Sequence, residues 1–207
     1  MNRREFLQNG AAAAAMLMAA RYAPGADAPA RKPNIIYILA DDLGYGDIGC
    51  YGQKLIRTPN IDRMATEGLR FTDHYSGAPI CAPARCTLLT GKHTGHARMR
   101  DNAGGTLNTL AAADTTVAEA LKAAGYRTAC IGKWGQGNFG STGDPTKKGF
   151  EHFFGYIDQG AAHFYYPAKL QRDGKDVPQE ANADGKQGAY SHDLFTEDAL
   201  KFVADNK

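Results

Sequence analysis

The stretch Cys81-Ala82-Pro83-Ala84-Arg85-Cys86-Thr87-Leu88-Leu89-Thr90-Gly91-Lys92 gathers a thiol, a guanidinium and an ammonium in a short space. Pro83 suits the first turn of a helix and Gly91 its end, so Cys81 falls just before a helix N-terminus. Unsatisfied N–H groups and the helix dipole favour an anion there. Arg85, one turn in, can neutralise further negative charge. Asp41 and Asp42 are adjacent carboxylates, hard oxygen donors of the type that suits Ca²⁺ or Mg²⁺. Lys133, in Gly132-Lys133-Trp134-Gly135, is a point charge able to clamp a tetrahedral oxyanion. Each group also has an ordinary reading, namely a turn of solvated aspartates, a surface helix arginine and a solvated lysine at a strand end.

The elements around them must bring distant stretches together. Asn34-Ile35-Ile36-Tyr37-Ile38-Leu39-Ala40 is a continuous apolar run rich in β-branched residues, which predicts a buried central strand. It delivers Asp41-Asp42 to a strand's carboxyl end, where α/β sheets place their ligands. Thr58 to Gly68 reads as a short helix with Pro59 in its first turn and Gly68 as a left-handed stop. Leu69 to Tyr75 alternates as a strand leading towards Cys81, with His74 a packing or loop histidine. Thr116-Val117-Ala118-Glu119 is a capping box, and Val117, Ala120, Leu121 and Ala124 form an apolar stripe. A strand over Tyr126 to Ile131 then carries Lys133 to the sheet edge of Asp41. Asp173-Gly174-Lys175 marks a hairpin or loop, and Ser191 caps a final amphipathic helix. The alternation predicts an α/β fold with a central, mostly parallel sheet flanked by helices.

Composition sets outer limits. The 207 residues can bury one sizeable core, and 43% hydrophobic with 22% charged is ordinary globular usage. A net charge of +2 gives no argument for nucleic acid. Arg3-Arg4 followed by the apolar run Ala11 to Ala20 and Ala26-Asp27-Ala28 reads as a twin-arginine-type signal peptide over residues 1–30. That reading implies a twin-arginine translocase as partner and a periplasmic or secreted product. Cys50, Cys81, Cys86 and Cys130 include too few partners for a disulfide framework once Cys81 is consumed. Cys81, Cys86, His93 and His96 can be written as a loose zinc pattern, but the cysteine spacing is poor and a helix intervenes.

Cys81-x-Pro83-x-Arg85, with Leu89, Thr90-Gly91 and Lys92 following, resembles the signature of the type I sulfatases, in the alkaline phosphatase superfamily. Strand-Asp41-Asp42-x-Gly44, Gly132-Lys133-Trp134 and Ala162-His163-x-Tyr165-Tyr166-Pro167 resemble further segments of that family. The resemblance runs from about Asn34 to the end and covers the N-terminal part of a sulfatase catalytic domain, residues 31–207. It implies an alkaline-phosphatase-like sandwich, and a sulfuric ester hydrolase whose nucleophile is a formylglycine made from Cys81 by a maturase. It implies Asp41 and Asp42 as ligands of Ca²⁺, ahead of Mg²⁺, with the modified Cys81 as a third. Arg85 and Lys133 would act as catalytic cations, and Lys92 would join Lys133 in binding substrate. Where many members read Gly-Lys-Trp-His this chain has Gly135, and His163 is the candidate replacement, to bind sulfate or protonate the leaving alcohol; a core histidine among aromatics is the alternative. The substrate would be an alkyl, aryl or carbohydrate sulfate ester.

Two other readings stand beside it. A phosphatase or phosphodiesterase of the same superfamily also uses strand-end aspartates, but with Thr or Ser as nucleophile, which Cys81-x-Pro83-x-Arg85 opposes. A truncated, non-catalytic exported protein is the other, because the later Asp-Asn pair, histidine and lysine of the family are not in this chain. An incomplete sheet would leave apolar surface and an open edge exposed, so the isolated chain is expected to be poorly soluble or incompletely folded.

Overall fold

A computed structural model of the chain describes residues 32–102 and 108–207. The proposed signal peptide lies outside the described residues. The chain divides into two units, residues 1–38 and 39–207. In the first, residues 32 to 38 carry no regular secondary structure, and Ile35, Ile36, Tyr37 and Ile38 are exposed. The strand expected over Asn34 to Ala40 is therefore absent. An apolar run becomes a strand only when neighbours fill its hydrogen bonds and cover its faces, and these residues have neither.

The second unit holds the regular elements. They are α1 (Pro59–Glu67), α2 (Cys81–Thr90), α3 (Val117–Ala123), β1 (Ala129–Lys133), β2 (His152–Tyr156), β3 (Lys169–Arg172), β4 (Lys175–Pro178) and α4 (Ser191–Asn206). The strands form one mixed sheet in the order β1-β2-β3-β4. β1 and β2 are parallel, with Lys133 opposite Tyr156, and the other two pairs are antiparallel. The α/β class holds, with one parallel pair in this sheet.

Local chemistry explains most boundaries. Thr116 Oγ1 accepts from the Glu119 N–H at 3.2 Å while Glu119 Oε2 accepts from the Thr116 N–H at 2.8 Å, the expected capping box of α3. Gly91 closes α2 in the left-handed region, φ 66°. Gly68 ends α1 differently, in extended backbone at φ −126°, with its N–H bonded to the Met64 carbonyl. Asp173 and Gly174, both at positive φ, turn β3 into β4. Ser191 does not cap α4; it is the buried first residue, after Tyr190 at the cap.

Leu69 to Tyr75 is not a strand. The carbonyls of Phe71 and Thr72 accept from the Tyr51 and Tyr45 hydroxyls, each at 2.7 Å, so side chains take the place of a ladder. The strand expected at Tyr126 to Ile131 begins later, at Ala129, and runs through Lys133 itself.

Two apolar clusters hold the layers. Ala82 and Cys86 of α2 pack with Ala97, Met99, Leu110, Trp134 and Phe153. Phe154, Tyr156 and Leu170 of the sheet meet Leu194 and Phe195 of α4. His152 and Arg172 add a polar clasp to Asp198 of α4, with His152 Nε2 2.5 Å from its carboxylate. Close strand pairing depends on Gly155, at φ 152°, where an added Cβ would overlap the Gly132 carbonyl oxygen. Gly155→Ala is therefore expected to destabilise the chain by about 2 to 4 kcal/mol, read as a shift in the urea unfolding midpoint.

Candidate active site

The first cluster places α2 against the end of β1. Ala82 and Cys86 face Trp134, whose indole N–H donates to the Gly143 carbonyl at 2.9 Å. Gln136 is fully buried and donates from Nε2 to the Ala82 carbonyl at 3.0 Å, which ties the segment after β1 to the residue following Cys81. Asn102 Oδ1 accepts from the Ala82 N–H at 3.0 Å. Cys81 is the first residue of α2, half-buried, and Arg85 lies one turn on.

Arg85 reaches across to β1. Its Nη1 donates to the Lys133 carbonyl at 2.8 Å, and its Nη2 lies 3.6 Å from Asp41 Oδ1. Lys133 Nζ binds the other oxygen of the same carboxylate, Asp41 Oδ2, at 2.7 Å. Burial pushes the Asp41 carboxyl up, but the Lys133 hydrogen bond and charge, with Arg85 and His163 behind them, outweigh it and hold the carboxyl below its ordinary range. His163 ends a short helical turn, Ala161–His163, is exposed, and lies within electrostatic range of Asp41. Asp41, Arg85, Lys133 and His163 thus converge from four separate stretches. Asp42 follows in the left-handed region at φ 58°, a conformation that Asp tolerates better than most residues.

The donor set is short for a metal cage. Among the described residues no three His, Cys, Asp or Glu side chains stand close enough to hold a cation. The Asp41–Asp42 pair has the right chemistry, but both oxygens of Asp41 face cationic side chains. These residues do not by themselves make a Ca²⁺ site.

Lys92 is engaged elsewhere. Its Nζ binds Asp114 Oδ1 at 2.7 Å, with Arg98 Nε 3.6 Å from the other oxygen and the Ala111 N–H donating to it at 2.9 Å. Burial raises the Asp114 carboxyl, yet Lys92, Ala111 and Arg98 together hold it below the usual range. A carboxyl depressed in the fold stabilises it above the unfolded value, about pH 4, and that contribution fades as pH falls through the folded value. Asp114→Asn is expected to cost about 1 to 2 kcal/mol at pH 7 and much less at pH 3, as read from paired urea melts.

Among the described residues, four of the five buried polar side-chain atoms left without a partner belong to Arg85, Gln136 and Gln159, and the fifth is Gln171 Oε1 on β3. Arg85 Nε, Gln136 Oε1 and both carboxamide atoms of Gln159 are buried without a partner among the described residues. Gln136, Asn102, Asp114 and Gln159 were not singled out by the sequence. Gln159 has one visible signal, since Gly135 leaves room where the resemblance anticipates a histidine. The four cysteines are free thiols. Burial pushes the Cys130 thiol up to about 12 despite the nearby Arg85, so it stays protonated.

An α/β layer with cations gathered at a strand end around the start of a helix suits an anionic ligand. Solved structures share the fold. The structure of BT4656 in complex with its substrate D-glucosamine-2-N,6-O-disulfate superposes with a TM-score of 0.70 at 31% identity, over 86% of this chain and 32% of that one. The complex of i-CgsB with a neocarrahexaose also gives 0.70, at 29% identity, over 84% of this chain and 42% of that one. Among curated relatives, human arylsulfatase D is 46% identical over 142 residues, which is 62% of this chain and 24% of that protein. Mouse steryl-sulfatase is 43% identical over 156 residues, 68% of this chain and again 24% of the relative. The sulfatase family model matches residues 33–207, and the chain belongs to the sulfatase family. It spans about a quarter of the length of these two curated relatives.

Proposed function

We propose that the chain carries the nucleophile half of a sulfuric ester hydrolase, with Cys81 converted to formylglycine by a maturase. The observation that supports this most directly is the Asp41 carboxylate held between Lys133 and Arg85, with Cys81 one helical turn before Arg85. An aldehyde hydrate at position 81 supplies one hydroxyl to attack sulfur and a second to release it, splitting a hard displacement into two easier ones. Lys133 and Arg85 then offset the negative charge that builds on the sulfate oxygens. His163, exposed beside Asp41, is placed to protonate the departing alcohol. Lys92 acts at second hand, fixing the segment after α2 through Asp114.

Asp41 and Asp42 contribute to a Ca²⁺ site that requires further oxygen ligands, and a sulfated carbohydrate is the substrate class in view. Export by the twin-arginine route rests on Arg3-Arg4; the relatives above are animal proteins and lend that route no support.

The test is the mass of the tryptic peptide Phe71 to Arg85 from protein co-produced with a formylglycine-generating maturase. A mass with CHO in place of CH₂SH at Cys81 supports the reading. An intact thiol moves a non-catalytic sulfatase-fold protein to first place.

A further inference from the structure

A group of aromatic rings stands open to solvent just past His163. Tyr165 is 52% exposed, Tyr166 and Tyr190 are 38% exposed, and His192 is exposed as well. The rings touch one another. The Tyr165 ring centre lies 6.1 Å from that of Tyr190 and 5.6 Å from that of His192, Tyr166 lies 5.6 Å from Tyr190, and Tyr190 stacks on His192 at 5.1 Å. Contiguous exposed rings mark a surface that meets a ligand or partner. The hydroxyls of the three tyrosines make no hydrogen bond among the described residues, so their polar edges are unspent too.

The backbone beneath the rings is fixed. The N–H of Ser191, itself fully buried, donates to the Tyr165 carbonyl at 2.9 Å. Asn182, 2% exposed, donates from Nδ2 to the Pro167 and Ala189 carbonyls at 2.9 Å each, and its Oδ1 accepts from the Ala189 N–H at 2.8 Å. One buried amide thus ties the segment carrying Tyr165 and Tyr166 to the segment carrying Tyr190. Rings held on a fixed backbone lose little freedom when they bind. The cluster also joins the candidate site. Tyr156, opposite Lys133 in the β1–β2 register, donates its hydroxyl to the Phe164 carbonyl at 2.6 Å, and His163 and Tyr165 flank that anchor.

Each tyrosine offers an apolar face edged by a free hydroxyl. A pyranose is complementary to that pattern, with C–H groups to lie on the face and hydroxyls to bond the edge. Resting on the sulfatase reading above, we propose that Tyr165, Tyr166, Tyr190 and His192 form a subsite for the saccharide chain of the sulfate ester. The sulfated sugar lies at His163, and the sugars that follow it lie across the rings. The preferred substrate is then an oligosaccharide, because a single sulfated sugar leaves the far rings uncovered.

The probes are galactose 6-sulfate and trisaccharides of β-linked galactose or glucose that carry the sulfate on the terminal sugar, titrated calorimetrically into the full chain. At least one trisaccharide is expected to bind about tenfold tighter than galactose 6-sulfate. Tyr165→Leu keeps apolar bulk but removes the ring, and should weaken the trisaccharide about fivefold while changing the monosaccharide less than about twofold. Tyr165→Phe keeps the ring and should retain most of the gain. Tyr166→Leu reports on the same surface if Tyr165→Leu fails to fold. No gain with chain length, a gain that survives loss of the ring, or equal losses for both probes would overturn the proposal. Loss of self-association in Tyr165→Leu with saccharide binding unchanged would overturn it in favour of a second copy of the chain on these rings. Turnover is measured separately on the co-matured protein: length-dependent binding without hydrolysis of any ester sinks the hydrolase reading and leaves the subsite standing.

Discussion

Replacing Lys148 by alanine is expected to cost about 3 to 5 kcal/mol of stability, the largest structural effect of any single charged side chain described here. Lys148 is 2% exposed, and its ammonium donates to the carbonyls of Ala111 and Asp114 at 2.7 Å each, with that of Ala112 at 3.4 Å. Its own carbonyl accepts from Thr116 Oγ1 at 2.7 Å, so one residue fastens the loop before α3 to the turn before β2. Alanine would remove a donor from three carbonyls, of which that of Ala111 keeps the Asp114 N–H at 3.1 Å, and leave a void where the stem packed. Lys148→Met refills most of the volume but not the bonds, and should recover only part of the loss. Urea denaturation of both variants separates the contributions; a loss below about 1 kcal/mol for alanine would show that water replaces the ammonium without difficulty.

For Cys81→Ala, hydrolysis of an aryl sulfate by the co-matured protein should fall by at least about 10³-fold, while stability stays within about 1 kcal/mol. The split follows from position. Cys81 is half-buried at the first turn of α2, where a thiol contributes little packing, and its partner Arg85 keeps its bonds to Lys133 and Asp41 without it. Cys130→Ala is the control. That thiol is pushed up to about 12 by burial, is protonated at neutral pH, and should leave turnover within about threefold. Comparable activity in the wild type and Cys81→Ala would place the nucleophile elsewhere.

Short-range features were more legible in the sequence than the sheet was. Cys81 at a helix start, the Thr116 capping box, the Asp173-Gly174 turn and Lys133 at a strand end were legible because each depends on a few neighbouring residues. Asn34 to Ala40 misled because its composition speaks of burial on both faces, and burial requires partners that composition does not supply. Leu69 to Tyr75 alternates like a strand, but two tyrosine hydroxyls from elsewhere claim its carbonyls. β2 was missed because His152-Phe153-Phe154-Gly155-Tyr156 is short, has no β-branched residue and carries a glycine inside the run. Gln159 left only an indirect sign, the glycine at 135, because the packing of its carboxamide against Gly135 is made by the fold.

The Lys133–Asp41 bond joins residues 92 apart, whereas Cys81 and Arg85 share a helix. Closing a loop of that length costs about 3 kcal/mol more conformational entropy than closing one helical turn. The charge clamp is therefore expected to form later in folding than the local contacts within α2. During synthesis the chain passes through a stage in which Cys81 has emerged and Lys133 has not, and in that interval α2 lacks the end of β1 that later packs against it. Timing, as much as geometry, is written into the order of these residues along the chain.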